Sequence, residues 1–267
     1  MGNRVISICY WGFVLGSSIV LYPLAALLRF STQLFDRRLA LLHRFTCFWA
    51  ALYTWVYPRW RVTFEGREKL YRKRAVVFVA NHQSLVDIFV LFRLFVHFKW
   101  ISKTENFRIP LIGWNMSLNR YIRLDRGSLR GSLGMIRAAT AAIREESSVM
   151  IFPEGTRSKD GTLQKFQPGA FELALKTGAP LQPIVIDGSA GALPKRSYVL
   201  RGTHHIRARI LDPIGPELFA GSDAATLKEK IRDLFQAELH SMRRILTPEG
   251  RVRSTQRSPS GERQAES

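Results

Sequence analysis

Residues 75–87 read AVVFVANHQSLVD. The first six, Ala75 to Ala80, form an unbroken apolar run containing Val76, Val77 and Val79. β-Branched side chains fit a pleated surface, and a continuous run of this length predicts a strand covered on both faces. Such strands belong to parallel sheets, in which ligand crevices open at the carboxyl ends of the strands. His82 stands at that end, where a crevice would open.

Working outward from this strand, the same texture recurs. Phe98 to Ser102, Val149 to Phe152 and Leu181 to Ile186 are further apolar segments of strand length. Arg61 to Glu65 and Ile206 to Leu211 alternate, as edge strands do. Helical patterns cover Ile88 to Phe95, Ser128 to Glu146, Gly169 to Lys176 and Leu227 to Ile245. Strands separated by helices predict an α/β fold, with a central, largely parallel sheet flanked by helices.

The first sixty residues differ in character. Val5 to Leu28 carries no charge and is long enough to cross a bilayer as a helix. Phe45 to Tyr57 is too short to span, and its Trp49, Tyr53, Trp55 and Tyr57 suit a headgroup boundary. The expectation is a hydrophobic two-helix membrane element over residues 1–58, with a single buried core hairpin as the alternative, an α/β domain over 59–246 and a basic tail over 247–267. That tail has too few apolar residues to offset ordering entropy, so disorder is expected there. Only Arg4 precedes the first apolar stretch, whereas Arg29, Arg37, Arg38 and Arg44 follow it. The positive-inside rule then places the α/β domain on the cytoplasmic face.

Forty Lys and Arg against 21 Asp and Glu leave a formal net charge of +19 over 267 residues. Such a surplus attracts polyanions: nucleic acid, anionic lipid, a phosphorylated substrate or an acidic acyl carrier. Cys9 and Cys47 both lie in apolar stretches without a C-x-x-C, so neither a zinc ribbon nor a redox pair is indicated and two buried thiols are expected. No H-x3-H or H-E-x-x-H occurs, which argues against a metal centre.

Several short segments carry chemistry. Asp87 follows His82 by five positions, so a turn at His82 and a helix start at Asp87 would let the carboxylate reach one ring nitrogen. The competing reading is a helix cap, because Ser84 and Asp87 also form an S-x-x-D pattern. Pro153-Glu154-Gly155-Thr156-Arg157-Ser158 follows another buried strand. Its Gly155 permits close backbone approach, Arg157 offers a phosphate a fork of donors, and Glu154 can accept from hydroxyls. The alternative is a surface turn with a Glu–Arg pair. Arg123 and Arg126 in Ile122-Arg123-Leu124-Asp125-Arg126, with Lys103 after its strand, could supply further cations to one pocket. Leu181-Gln182-Pro183-Ile184 tells little alone.

Together, NHQSLVD, YIRLDR, FPEGTRS and LQPIVI resemble, in order and spacing, the four blocks of the lysophospholipid acyltransferases, particularly bacterial 1-acylglycerol-3-phosphate acyltransferases. The resemblance runs from about Arg61 to Ile186. It implies His82 as general base and Asp87 as its orienter. Lys103, Arg126 and Arg157 would hold the acceptor's phosphate, Arg126 being preferred to Arg123 because the second block usually ends in an acidic residue followed by Arg. Glu154 and Gly155 would position the glycerol, with Thr156 beside them in the substrate site. The implied partners are lysophosphatidic acid, acyl-CoA or acyl carrier protein as acyl donor, and anionic membrane lipids. No further cofactor, metal or nucleic acid is expected. With no G-x-S-x-G elbow and no cysteine near the blocks, direct attack without an acyl-enzyme is expected. Another lysolipid acceptor, such as a lyso-ornithine lipid, is the alternative. A non-enzymatic basic protein would leave His82, Asp87 and Glu154 unexplained.

Overall fold

The computed structural model describes residues 2–244. Ile245 and the basic segment 247–267 lie outside these residues. Among them, seven strands form one sheet: β1 (Trp60–Glu65), β2 (Val77–Ala80), β3 (Phe98–Lys103), β4 (Ile122–Leu124), β5 (Ser148–Ile151), β6 (Leu181–Asp187) and β7 (His204–Ile210). Their order is β1-β7-β6-β2-β5-β3-β4. Every pairing is parallel except β6 with β7. β2 lies near the middle, and Val77, Phe78, Val79 and Ala80 are all buried, as its continuous apolar run requires.

The period-two geometry of β2 divides the interior in two. Phe78 and Ala80 join a cluster with Met150, Ile184 and Phe98, under the helices α1 (Gly2–Thr32), α2 (Ala40–Trp55) and α3 (Val86–Phe92). Val77 and Val79 face the opposite way, toward α5 (Leu129–Arg144), α6 (Gly169–Thr177) and α7 (Ala224–Arg244). The remaining helix, α4 (Ile112–Leu118), lies between β3 and β4. Ser128 caps α5 by accepting the N–H of Gly131 at 2.9 Å.

Four expectations are corrected. Ile206 to Leu211 is not an edge strand, because β7 lies between β1 and β6. Its alternation comes from Arg207 and Arg209, which are ion-paired to Asp187 and to Glu65 and Glu238. The edge opposite β1 is instead β4, which at three residues is too short to show a period. The first helix of the α/β region runs over Val86–Phe92 instead of Ile88 to Phe95. Of the four aromatics expected at a headgroup boundary, Trp49, Tyr53 and Tyr57 are buried within the cluster that contains Phe78, and Trp55 alone is exposed. Cys47 is buried as expected, but Cys9 faces outward from α1.

α1 is the one helix among the described residues long and apolar enough to cross a membrane. One side of it lies along the α/β body, with the Tyr10 hydroxyl donating to the Tyr53 carbonyl and Trp11 Nε1 to the Tyr198 carbonyl. The other side exposes Ile8, Leu15, Val20, Leu27 and Phe30.

Candidate active site

Because β2, β5, β3 and β4 run parallel in adjacent positions, their carboxyl ends share one edge of the sheet. That edge brings together three of the four sequence blocks. β2 ends with Asn81, whose side chain donates to the Ile186 carbonyl at 2.8 Å and accepts the Ile186 N–H at 2.7 Å. The amide thus prolongs the ladder to β6 by one rung and fixes where the chain leaves the sheet. His82 is the next residue.

The His82 ring bonds through Nδ1 to Asp87 Oδ2 at 3.0 Å. The same carboxylate oxygen accepts the N–H groups of Gln83 and Ser84, at 2.6 and 2.8 Å. Its other oxygen accepts the Ser189 hydroxyl. Asp87 is wholly buried, and four donors hold it in one orientation. The cap reading holds only in part: Asp87 accepts the Ser84 N–H, but the N-cap of α3 is Leu85, which has no side-chain cap. Asp87 ties down the turn before α3 and also holds the imidazole. With Nδ1 donating to a carboxylate, Nε2 carries the lone pair in the neutral ring.

The ring lies flat against Phe152, with centroids 3.8 Å apart and planes within 6°. Its side chain remains 12% exposed, and Nε2 has no hydrogen-bond partner among the described residues. A basic nitrogen thus faces outward from a packed socket.

Glu154 occupies the position beside it. One of its oxygens accepts the His82 N–H at 2.6 Å and the other the Gln164 N–H at 2.9 Å. The sequence reading assigned Glu154 to glycerol hydroxyls. Here its carboxylate clasps the backbones of two loops, and the Ser158 N–H returns the contact by bonding to the His82 carbonyl at 2.8 Å. Burial pushes the Glu154 carboxyl up to about 7, against the lowering effect of those two N–H groups. Gly155 has φ +68°, a left-handed turn that suits glycine and swings the chain toward Arg157.

The cations are held more loosely. Arg157 is half-buried, and its guanidinium makes no hydrogen bond or ion pair in the described residues. Thr156 is exposed and accepts from Lys195 Nζ at 3.0 Å, while the Arg157 carbonyl accepts from the same ammonium at 2.6 Å. Partial desolvation, then Arg157, Lys159 and Arg196, lower the Lys195 ammonium below its usual range. Lys103, at the end of β3, pairs with Glu105 at 3.0 Å on the surface. Arg126 follows β4, three strand positions from β2, or roughly 14 Å across the sheet. Arg123 reaches the Ser117 hydroxyl and lies over the Phe107 ring instead.

Asn81, Ser189 and Lys195 were not singled out from sequence. Asn81 adjoins His82 and could have been weighed as a strand terminator. Ser189 and Lys195 come from the loop after β6, more than a hundred and some forty residues from Asp87 and Thr156 respectively, with no local pattern to mark them. Gly188 is the one signal in that loop: φ is +89° and a Cβ would run into the His205 carbonyl oxygen, so only glycine lets Ser189 turn inward.

Residues 61–187 match the acyltransferase family. The chloroplastic 1-acyl-sn-glycerol-3-phosphate acyltransferase BAT2 of Brassica napus is 35% identical over 235 residues, 87% of this chain and 66% of that protein. The chloroplastic 1-acyl-sn-glycerol-3-phosphate acyltransferase LPAT1 of Arabidopsis thaliana is 38% identical over 183 residues, 68% of this chain and 51% of that protein. The chain thus spans about half to two thirds of the length of these relatives. The crystal structure of the 1-acyl-sn-glycerophosphate acyltransferase PlsC from Thermotoga maritima superposes with a TM-score of 0.70, covering 93% of this chain and 100% of that one. At 20% identity, that likeness concerns the fold, including the long apolar helix and its companion ahead of the sheet. The chain belongs to the 1-acyl-sn-glycerol-3-phosphate acyltransferase family.

Proposed function

We propose that the protein transfers a fatty acyl group from a thioester donor, acyl-CoA or acyl carrier protein, to the sn-2 hydroxyl of 1-acylglycerol-3-phosphate, giving phosphatidic acid. The observation that carries this reading is the outward Nε2 of His82, fixed through Nδ1 by a buried carboxylate. It lies at a sheet edge shared with Arg157, Lys103 and Arg126.

In the reaction proposed, the lysolipid hydroxyl attacks the thioester carbonyl carbon while Nε2 takes its proton. The C–O bond forms, and the carbonyl electron pair moves onto oxygen. Collapse of that intermediate breaks the C–S bond, and the imidazolium returns its proton to the departing sulfur. A thiol with a pKa near 8.5 leaves without a metal, whereas the alcohol needs its proton taken by a general base, a task suited to imidazole. Asp87 stabilises the imidazolium and holds the ring in the tautomer that bares Nε2.

Arg157 stands on the loop nearest His82 and has no protein partner among the described residues, so it is the first candidate for the acceptor's phosphate. Arg126 and Lys103 would complete the clamp from β4 and β3. Glu154 acts through the loops that carry His82 and Arg157, and Gly155 and Thr156 shape the wall beside them. The exposed apolar side of α1 would enter the bilayer, with the catalytic edge on the cytoplasmic side by the charge asymmetry around that helix.

The test is an assay of purified protein in mixed micelles against lysophosphatidic acid, other lysophospholipids and a lyso-ornithine lipid, each with both donor types. Phosphatidic acid as the dominant product is expected. Turnover confined to another lysolipid would replace the acceptor assignment. A labelled acyl group trapped on the protein by donor alone would replace direct attack.

A further inference from the structure

The opposite edge of the sheet holds a second basic site. Its parts are the last turn of α1, the connection from α1 to α2, the connection from α4 to β4, and the turn after α5. Arg29, Asp36, Arg37, Arg38, Arg120 and Glu145 line a cavity of about 470 Å³ there. A neighbouring cavity of about 460 Å³ shares Arg29 and Arg120 and continues between Tyr22, Phe30, Trp114 and Leu118. One end is therefore cationic and the other apolar.

The carboxylates do not neutralise this cup. Asp36 uses both oxygens to accept the N–H groups of Ala40 and Leu41, each at 2.8 Å, at the start of α2. Arg38 donates to the Glu146 carbonyl at 3.0 Å. Arg29, Arg37 and Arg120 form no side-chain hydrogen bond or ion pair among the described residues, and neither does Glu145. Below them lies Lys99, 5% exposed, whose ammonium donates to the carbonyls of Arg38 and Asn119 at 3.4 and 3.2 Å. A buried charge thus ties the two arginine-bearing loops together. Arg120 has φ +52°, a left-handed position after α4 that favours glycine or asparagine.

Two features identify the ligand class. Planar, unpartnered guanidinium groups suit a phosphate. The apolar groove opens where the exposed face of α1 ends, at Leu27 and Phe30, and the following Leu34 and Phe35 are also exposed. A phosphate ester carrying a hydrocarbon chain fits both parts; a free phosphate fits only the first. Lys99 is the second residue of β3 and Lys103 the last, so the cup lies roughly 13 Å along that strand from the edge that carries His82. It is a different site from the proposed acceptor site.

We propose that this cup and groove hold one anionic phospholipid of the bilayer, with its phosphate among Arg29, Arg37 and Arg120 and an acyl chain between Phe30 and Trp114. The lipid would clamp α1 to the α/β body at headgroup depth. This rests on the membrane-bound reading of α1 and not on the chemistry at His82.

The experiment uses the full chain and the double variant Arg29→Gln/Arg120→Gln. The control Arg72→Gln/Arg74→Gln removes the same charge from an exposed loop elsewhere. Flotation with phosphatidylcholine vesicles, with and without phosphatidylglycerol, gives the membrane affinity. Native mass spectrometry of protein released from phosphatidylglycerol-containing nanodiscs gives the retained lipid. The unmodified protein should retain one phosphatidylglycerol, as should the control. The double variant should retain none, and its preference for phosphatidylglycerol vesicles should fall about 30-fold. Turnover in detergent should not change.

Retention of the lipid by the double variant would overturn the proposal, as would equal loss in the control. Displacement of the lipid by millimolar inorganic phosphate would make this a free-phosphate site instead. Failure of the unmodified protein to float with any vesicle would overturn the membrane reading and this proposal with it. Should the double variant not fold, Arg37→Glu, on an exposed connection, reads the same loss.

Discussion

The turn after β2 and the loops that carry the cations meet at one sheet edge but are built in opposite ways. At the turn, the polar groups around His82 are taken up, and only its Nε2 is left without a partner among the described residues. Asp87 accepts four hydrogen bonds, Glu154 two, and Asn81 closes a rung of the ladder. On the loops, Arg157 has no partner among the described residues, Lys103 has one surface carboxylate, and Arg126 is exposed. A base must be held in place before substrate arrives, since a misplaced proton acceptor loses the benefit of proximity. The proposed phosphate clamp would be completed by the phosphate itself, and its arginines would stay unpaired until then. The rigid half would govern kcat and the open half KM.

Substitutions can break that division, and the largest effect is expected at Asp87. Asp87→Asn keeps the shape but turns an amide N–H₂ toward one or more of the groups that now donate to the carboxylate. Turnover should fall about 10²–10⁴-fold with little change in acceptor KM. A loss confined to KM would contradict the role given to the turn.

Next comes Glu154, tested through stability. Its pKa is about 7 in the fold and about 4.5 when free. Between these values the folded state keeps a proton that the unfolded chain has lost. Stability from this group should therefore decline as pH rises from about 4.5 to 7, by on the order of 3 kcal/mol, and level off above 7. Glu154→Gln should abolish that slope in urea melts taken across the range. An unchanged slope would mean that the burial of Glu154 is not what sets it.

Arg157→Ala is expected to raise acceptor KM about 10–100-fold, the scale of a charge-assisted hydrogen bond, with donor KM unchanged. Equal loss for both substrates would dissolve the contrast between the two halves. Smallest is Lys195→Met, which removes the bonds to Thr156 and to the Arg157 carbonyl. A rise in acceptor KM of about fivefold is expected, the scale of one ordinary hydrogen bond. Lys195→Arg should recover part of it.

The same contrast explains what could be read from the chain. Ala75 to Asp87 and Pro153 to Ser158 hold strand, turn and side chains within single short stretches, so their placement followed from local pattern. The central, mostly parallel sheet followed for the same reason. Contacts assembled from distant segments left no such trace. Ser189 reaches Asp87, and Lys195 reaches Thr156, only because β6 lies beside β2. The aromatic stretch of α2 was misplaced because Trp49 and Tyr53 suit a buried helix face as well as a headgroup boundary. Arg207 and Arg209 resembled a solvated edge because ion pairs with Asp187, Glu65 and Glu238 cannot be inferred from alternation.

The central claim is that one imidazole removes the proton from the lipid hydroxyl. Its most direct test is the turnover of His82→Ala in vesicles containing lysophosphatidic acid and an acyl thioester, measured beside vesicle binding and thermal unfolding. Turnover reduced by about 10² or more, with membrane binding and melting kept close to those of the unmodified protein, is the expected result. Turnover at the unmodified rate in that variant would contradict the account.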